Sequence, residues 1–276
     1  MAFAQPEEAP APSPEVPAES VAPSEPEASP ALSQSLTEEQ MAGAVRVDSV
    51  TVPTPGELLA ALTKTGKPDW HSGYREPIPT TYTSRPQLAL NLGGLIADGF
   101  LAVEGADSQR VKNMGKDIIT LAKALGVSQD VLSRANSISD FAENNQWSTL
   151  KEELEATQNE VKIAMEEQGD QDLVILVTIG GWVRGTEIVT GWIGKNYTPE
   201  SAKLLRQPAV VSFMRTKITE LPEKVQSDKL VTKVSDQLEE IETLVSFQVD
   251  TVPTVEDVEK IQTVSSKMVS EMVNKE

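Results

Sequence analysis

Residues 90–99 read LNLGGLIADG, with Gly93 and Gly94 set among apolar residues and Gly99 five positions further on. Three structures use such a stretch: a phosphate-binding loop, a turn, or a helix that packs too closely for side chains. The spacing Gly94-x4-Gly99 is that of a phosphate loop. That loop needs a lysine at the next position and a strand before it. Position 100 is Phe100, and no apolar strand precedes the motif. The Rossmann glycine pattern does not fit either. Ala89, Gly93 and Ala97 recur every four residues, so they share one helix face. Small residues on one face permit close backbone approach. Each interior glycine costs roughly 1 kcal/mol relative to alanine, so close packing must offset the pair.

The motif has a twin. Residues 179–185 read IGGWVRG, 87 residues downstream of the first pair when Gly93 is matched with Gly180. Each copy sits in an unusually apolar helix. Gly181 and Gly185 repeat the four-residue spacing. A weak internal duplication and chance similarity both account for the match. The expectation is that the two helices form the centre of the core and cross each other. Asp98 and Arg184 occupy similar places in the two motifs, and charges in such helices are rarely buried unless paired. They pair with each other, or Arg184 pairs with Glu187 one turn along. In the functional alternative, Asp98, Arg184 and Glu187 line a pocket and hold a polar ligand.

Helical periodicity runs outward from these two segments. Thr54-Pro55-Gly56-Glu57 is a helix start, with a capping threonine, proline at the first position and glutamate three residues after the cap. Val111, Met114, Ile118, Leu121 and Leu125 make one apolar face before Gly126, a C-terminal cap, and Ser128, the next N-cap. Val131, Ala135, Ile138 and Ala142 carry the following face, and Thr149 with Glu152 reads as another capping box. Thr198-Pro199-Glu200 opens a helix that Pro208 kinks or splits. Two more helices carry Leu230, Val234, Leu238, Ile241 and Val245, and then Val258, Ile261, Val264, Met268 and Met272 behind a Thr254/Asp257 cap. Strand signal is confined to VRVDSVTV at 45–52, which has no obvious partner. The fold class is therefore all-α, a multi-helix bundle or stacked antiparallel helical hairpins of about eight or nine helices.

Residues 65–86, TGKPDWHSGYREPIPTTYTSRP, differ in texture, with four prolines and two glycines. Yet they hold Trp70, Tyr74 and Tyr82 in a chain that is 4% aromatic. An ordered strap over the domain is expected. Trp70, Tyr74, Arg75 and Tyr82 on it are the residue types that dominate interaction surfaces. His71, the only histidine, lies two residues after Asp69. One Asp-x-His is too few ligands for a metal site, and no metal or cofactor is expected.

Residues 1–45 contain eight of the 18 prolines, eight glutamates and no Asp, Lys or Arg. Such a segment cannot bury enough surface to offset its ordering entropy, so it reads as a disordered acidic spacer. Residues 46–86 form a short helix plus the strap, and 87–276 an all-helical domain. The tail supplies −8 of the net charge of −18, leaving −10 for the rest. No Lys/Arg cluster stands out, which argues against nucleic acid and anionic membrane surfaces as partners. With no cysteine there are no disulfides, thiolate zinc sites or cysteine nucleophile. Ala2-Phe3-Ala4 has the small-x-small form of a signal-peptidase site. Leu173–Ile193 is the best candidate membrane span, but Arg184 and Glu187 interrupt it, so it reads as a buried core helix with no transmembrane segment.

The stretch LALNLGGLIADGFLAVEGADSQRV through IITLAKALGVSQDVLSRANSI resembles an uncharacterised family of exported all-helical bacterial proteins. The resemblance implies a periplasmic or secreted location and carries no activity. The function expected from the whole is a non-enzymatic interaction or scaffold module of the bacterial envelope, bound to another envelope protein. The alternative is a small-ligand-binding helical domain with its pocket near the glycine-rich helices and the strap.

Overall fold

A computed structural model of the chain describes residues 46–47, 50–128, 135–248 and 251–274, together with Met1. Among the described residues nine helices of nine residues or more account for almost all regular structure. They are α1 (Pro55–Thr65), α2 (Arg85–Glu104), α3 (Ser108–Ala124), α4 (Ala135–Glu143), α5 (Trp147–Glu167), α6 (Gln171–Lys195), α7 (Pro208–Thr219), α8 (Lys229–Val245) and α9 (Val255–Val273). Single helical turns lie at Pro199–Ala202 and Glu223–Gln226, and 3-10 turns at Trp70–Gly73 and Lys203–Leu205. The chain is all-α, as the periodicity requires.

Local chemistry sets most helix starts. The Thr54 hydroxyl accepts from the Glu57 amide at 3.2 Å, and the Glu57 carboxylate accepts from the Thr54 amide at 2.7 Å, a reciprocal capping box. Thr254 and Asp257 do the same for α9 at 3.2 and 2.8 Å. Asp228 caps α8 by accepting from the Leu230 and Val231 amides. Pro208 splits the segment and does not kink it. The turn at Pro199 ends first, and Pro208 becomes the first residue of α7, where its missing N–H costs nothing. The Thr149/Glu152 capping box does not form. α5 begins at Trp147, so Thr149 is already inside the helix and Gln146 is the cap, with no side-chain bond. Gly126 does close α3, at φ +96°. The start that Ser128 was expected to cap, Val131 and the acidic spacer all lie outside the described residues.

The strand expected to lack a partner pairs with itself. Arg46–Val47 (β1) and Val50–Thr51 (β2) form a two-residue antiparallel hairpin, Val47 opposite Val50.

α2 and α6 form the centre, in more extensive contact with each other than any other two elements. α2 is buried without a break from Gln87 to Val103, which explains why it lacks an amphipathic period. α1, α3 and α9 pack around the pair, α7 and α8 pack on α9's side, and α4 bridges α3 and α5. One large apolar cluster surrounds α2 and α6. A satellite cluster of Ala102, Val103, Val111, Ile138, Ala142 and Leu150 sits under α4. α2 and α6 are long and apolar enough to cross a membrane, and their most apolar windows are 89% and 83% buried inside the fold.

The crossing is made by backbone. A Cβ placed on Gly93 would lie 2.0 Å from the Val177 carbonyl oxygen and 2.6 Å from the Gly181 nitrogen. A Cβ placed on Gly180 would lie 2.0 Å from the Leu90 carbonyl oxygen. The contact is reciprocal: each glycine meets the carbonyl three residues before the other. Gly181 and Gly185 play a different part. They receive α1, with Pro55 Cγ 3.1 Å and Leu58 Cδ1 2.8 Å from where their side chains would begin.

Candidate functional site

One turn beyond the crossing, the two central helices carry the charges noted in the sequence. Asp98 on α2 is 2% exposed and Arg184 on α6 is 4% exposed. Arg184 Nε donates to Asp98 Oδ1 at 2.9 Å, its Nη1 donates to Glu187 Oε2 at 2.6 Å, and its Nη2 donates to the Gly73 carbonyl at 2.6 Å. Both sequence-stated pairings of Arg184 therefore exist together. Burial by itself would lower the Arg184 pKa; the Asp98 and Glu187 carboxylates outweigh it and hold the guanidinium above its ordinary value.

The second oxygen of Asp98 is taken by the strap. Arg75 Nε donates to Oδ2 at 2.8 Å, and Arg75 Nη2 lies 2.6 Å from the same atom. The Arg75 side chain, one of the possible interaction-surface residues, is 17% exposed and bound to the core. Gly94 faces this set: a Cβ there would be in ordinary van der Waals contact, 3.4 Å from Arg75 Nη2 and 4.0 Å from the Arg184 Cβ. The first glycine of the pair thus meets a helix backbone, and the second faces the two arginines.

Further bonds hold the strap down. Arg110 on α3 donates to the Arg75 carbonyl at 2.5 Å, and its guanidinium lies 4.0 Å over the Tyr74 ring. The Tyr74 hydroxyl points at Gly105, where a Cβ would come within 2.3 Å. Burial raises the Tyr74 pKa, helped by Asp107 and opposed by Arg110. Burial pushes Tyr82 up to about 12 against the pull of Arg75. Trp70, Tyr74 and Tyr82 are part-buried against the core, so these rings serve first to pin the strap. His71 is exposed, with Nδ1 3.8 Å from Asp69. No group of three or more possible metal ligands occurs among the described residues.

Beside the ionic cluster lies a cleft of about 440 Å³. The strap from Asp69 to Arg75 makes one wall, the outer half of α6 from Arg184 to Lys195 the floor, and the start of α9 the other wall. Six charged side chains line it, three of each sign: Arg75, Arg184 and Lys195 against Asp69, Glu187 and Glu259. Trp70, Ile188 and Trp192 supply apolar surface. A wider cavity of about 610 Å³ opens where the N-termini of α2 and α8 meet. There Ser84 donates to Asp228 at 2.9 Å, and the Gln87 amide is spent on the Met272 and Asn274 carbonyls.

Sequence reasoning missed Lys162. It lies in the charge-rich α5 and is only 8% exposed. Its amine is pushed down to about 8 by burial, with Glu57 and Glu166 pulling it back up. Lys162 and Gln158 share a helix face turned toward the crossing, beside Gly93 and Gly181. The four-residue spacing of these two was visible in the sequence; nothing marked that face as the buried one.

No protein-family model, curated protein or solved structure matches the chain.

Proposed function

We propose that the chain is a non-enzymatic helical binding module of the bacterial envelope, carried on its acidic proline-rich spacer, and that the cleft is where it binds. The observation that carries this reading is the division of labour around Asp98. The buried charges of the cluster answer one another, two arginines against Asp98 and Glu187, so they lock the strap to the helix crossing. The cleft next to them remains open and presents charge, aromatic surface and hydrogen-bonding groups together. Its occupant is another envelope protein in the first reading. A small ligand is the second, favoured by a volume inside the roughly 300–1,000 Å³ range of small-molecule pockets.

The test uses the full chain in its own host. A photo-crosslinking residue at position 70, on the cleft wall, is compared with one at position 163, which is exposed on α5 and does not line the cleft. A discrete adduct from position 70 alone supports the reading, and intact mass of the purified chain then separates a protein from a small molecule. Equal adducts at both positions, or none, overturn it. Recovery of the chain in the cytosolic fraction overturns the envelope assignment.

A further inference from the structure

We propose that the cleft takes a short zwitterionic peptide of two or three residues, its free amino end at Glu187 and its free carboxylate at Lys195. This rests on the ligand-binding reading of the cleft and names the ligand class.

The hydrogen-bonding capacity that the ionic cluster leaves open on the cleft floor makes the case. Arg184 donates from all three nitrogens, to Asp98, Glu187 and the Gly73 carbonyl. Glu187 has accepted through Oε2 only; Oε1 takes no hydrogen bond among the described residues. Lys195 lines the same floor and makes no ion pair among the described residues. A ligand that only donates reaches Glu187 and one that only accepts reaches Lys195. A ligand with opposite charges at its two ends satisfies both.

Spacing sets the length. Glu187 and Lys195 are eight residues apart on one helix, about 12 Å along its axis. Extended chain covers roughly 3.3–3.6 Å per residue, so two or three residues reach about 7–10 Å. The two side chains close the remainder. A single amino acid, with its charges on one carbon, is too short to meet both ends. Between the two charged positions the floor presents Ile188 and Trp192, and Trp70 faces them from the strap. That is an apolar bed for one or two peptide side chains.

The experiment is a titration of the intact, ¹⁵N-labelled chain with trialanine, following the indole N–H signals of its tryptophans. Trp70 and Trp192 are expected to shift and Trp147 and Trp182 to stay. Acetylating the amino end or amidating the carboxyl end should each weaken binding by at least about tenfold, the loss of one favourable charge contact. In Glu187→Gln the acetyl cap should cost nothing more, and in Lys195→Ala the amide cap should cost nothing more. Lys195 is exposed and outside the ionic cluster, so that variant keeps the test open if Glu187→Gln does not fold. Equal binding of capped and free peptides would overturn the ligand class while leaving the cleft a binding site. Tighter binding of free alanine would overturn the length. No shift with any of these probes overturns this proposal alone; only when the position-70 crosslink is also absent does the binding reading fall with it.

Discussion

At Gly180 a hydrogen stands where any other residue would push a methyl group to 2.0 Å from the Leu90 carbonyl. Neither partner can yield, because both are helix backbone inside the core. Gly180→Ala is therefore expected to cost about 3 kcal/mol or more, at the upper end of overpacking penalties. Gly181→Ala should cost clearly less, since its nearest neighbour is the Pro55 ring at 3.1 Å. Gly115, inside α3, has nothing within 4 Å of its Cβ position. There alanine should stabilise by about 1 kcal/mol through helix propensity alone. Thermal melts of the three variants check the order, and a Gly180→Ala protein that melts like the wild type would refute the backbone crossing. The sequence made it legible that these glycines pack closely. It did not show which of each pair touches a helix, because a shift of one residue turns a position by about 100° around the axis.

The strap is the element whose order depends most on a few polar bonds. Four prolines deny it regular structure, so its backbone is held by Arg75 on Asp98, Arg184 on the Gly73 carbonyl and Arg110 on the Arg75 carbonyl. Asp98 is the common anchor. Asp98→Asn removes one carboxylate from a buried ionic set and leaves Arg75 and Arg184 with only Glu187 to balance them, a change that typically costs about 3–5 kcal/mol. The strap should then loosen before the helices do. Trypsin is expected to cut after Arg75 in the variant under conditions where the native chain resists. A variant that loses stability yet stays resistant at Arg75 would show that the strap is held by its aromatic rings instead. Aromatic content in a proline-rich segment was enough to expect an ordered strap. The pairing of Arg75 with Asp98 was not readable, since the two lie 23 positions apart across the irregular stretch that precedes α2 and no period relates them.

For the molecule as a whole, the buried Lys162 amine makes stability depend on pH. Its pKa is about 8 in the folded chain and about 10.4 when unfolded. Between those values the unfolded chain holds a proton that the folded chain has released, so stability rises with pH from about 8 to 10. The full difference corresponds to about 3 kcal/mol. Tyr82 works the other way above that window: its hydroxyl keeps its proton to about 12 when folded, so its contribution is lost as pH climbs past 10. Lys162→Met should raise the denaturation midpoint at pH 7 and flatten the rise between pH 8 and 10. Urea titrations at pH 7, 8, 9 and 10 read both effects, and an unchanged slope in the variant would assign the pH dependence elsewhere.

What the sequence by itself determined is the class of structure. Two helices too apolar to face water had to be central, the amphipathic ones around them had to be a sheath, and the caps at Thr54, Thr198 and Thr254 fixed where several of them start. Those features depend on residues within a few positions of one another, where period and hydrogen-bond reach are fixed by helix geometry. Only the tertiary structure decided that Gly93 meets Gly180's helix while Gly181 meets α1. It also decided that Asp98 joins Arg75 as well as Arg184, and that a cleft opens with Glu187 and Lys195 on its floor. These depend on the rotation and crossing of helices far apart in the chain, which the packing of the entire core sets and no local spacing encodes.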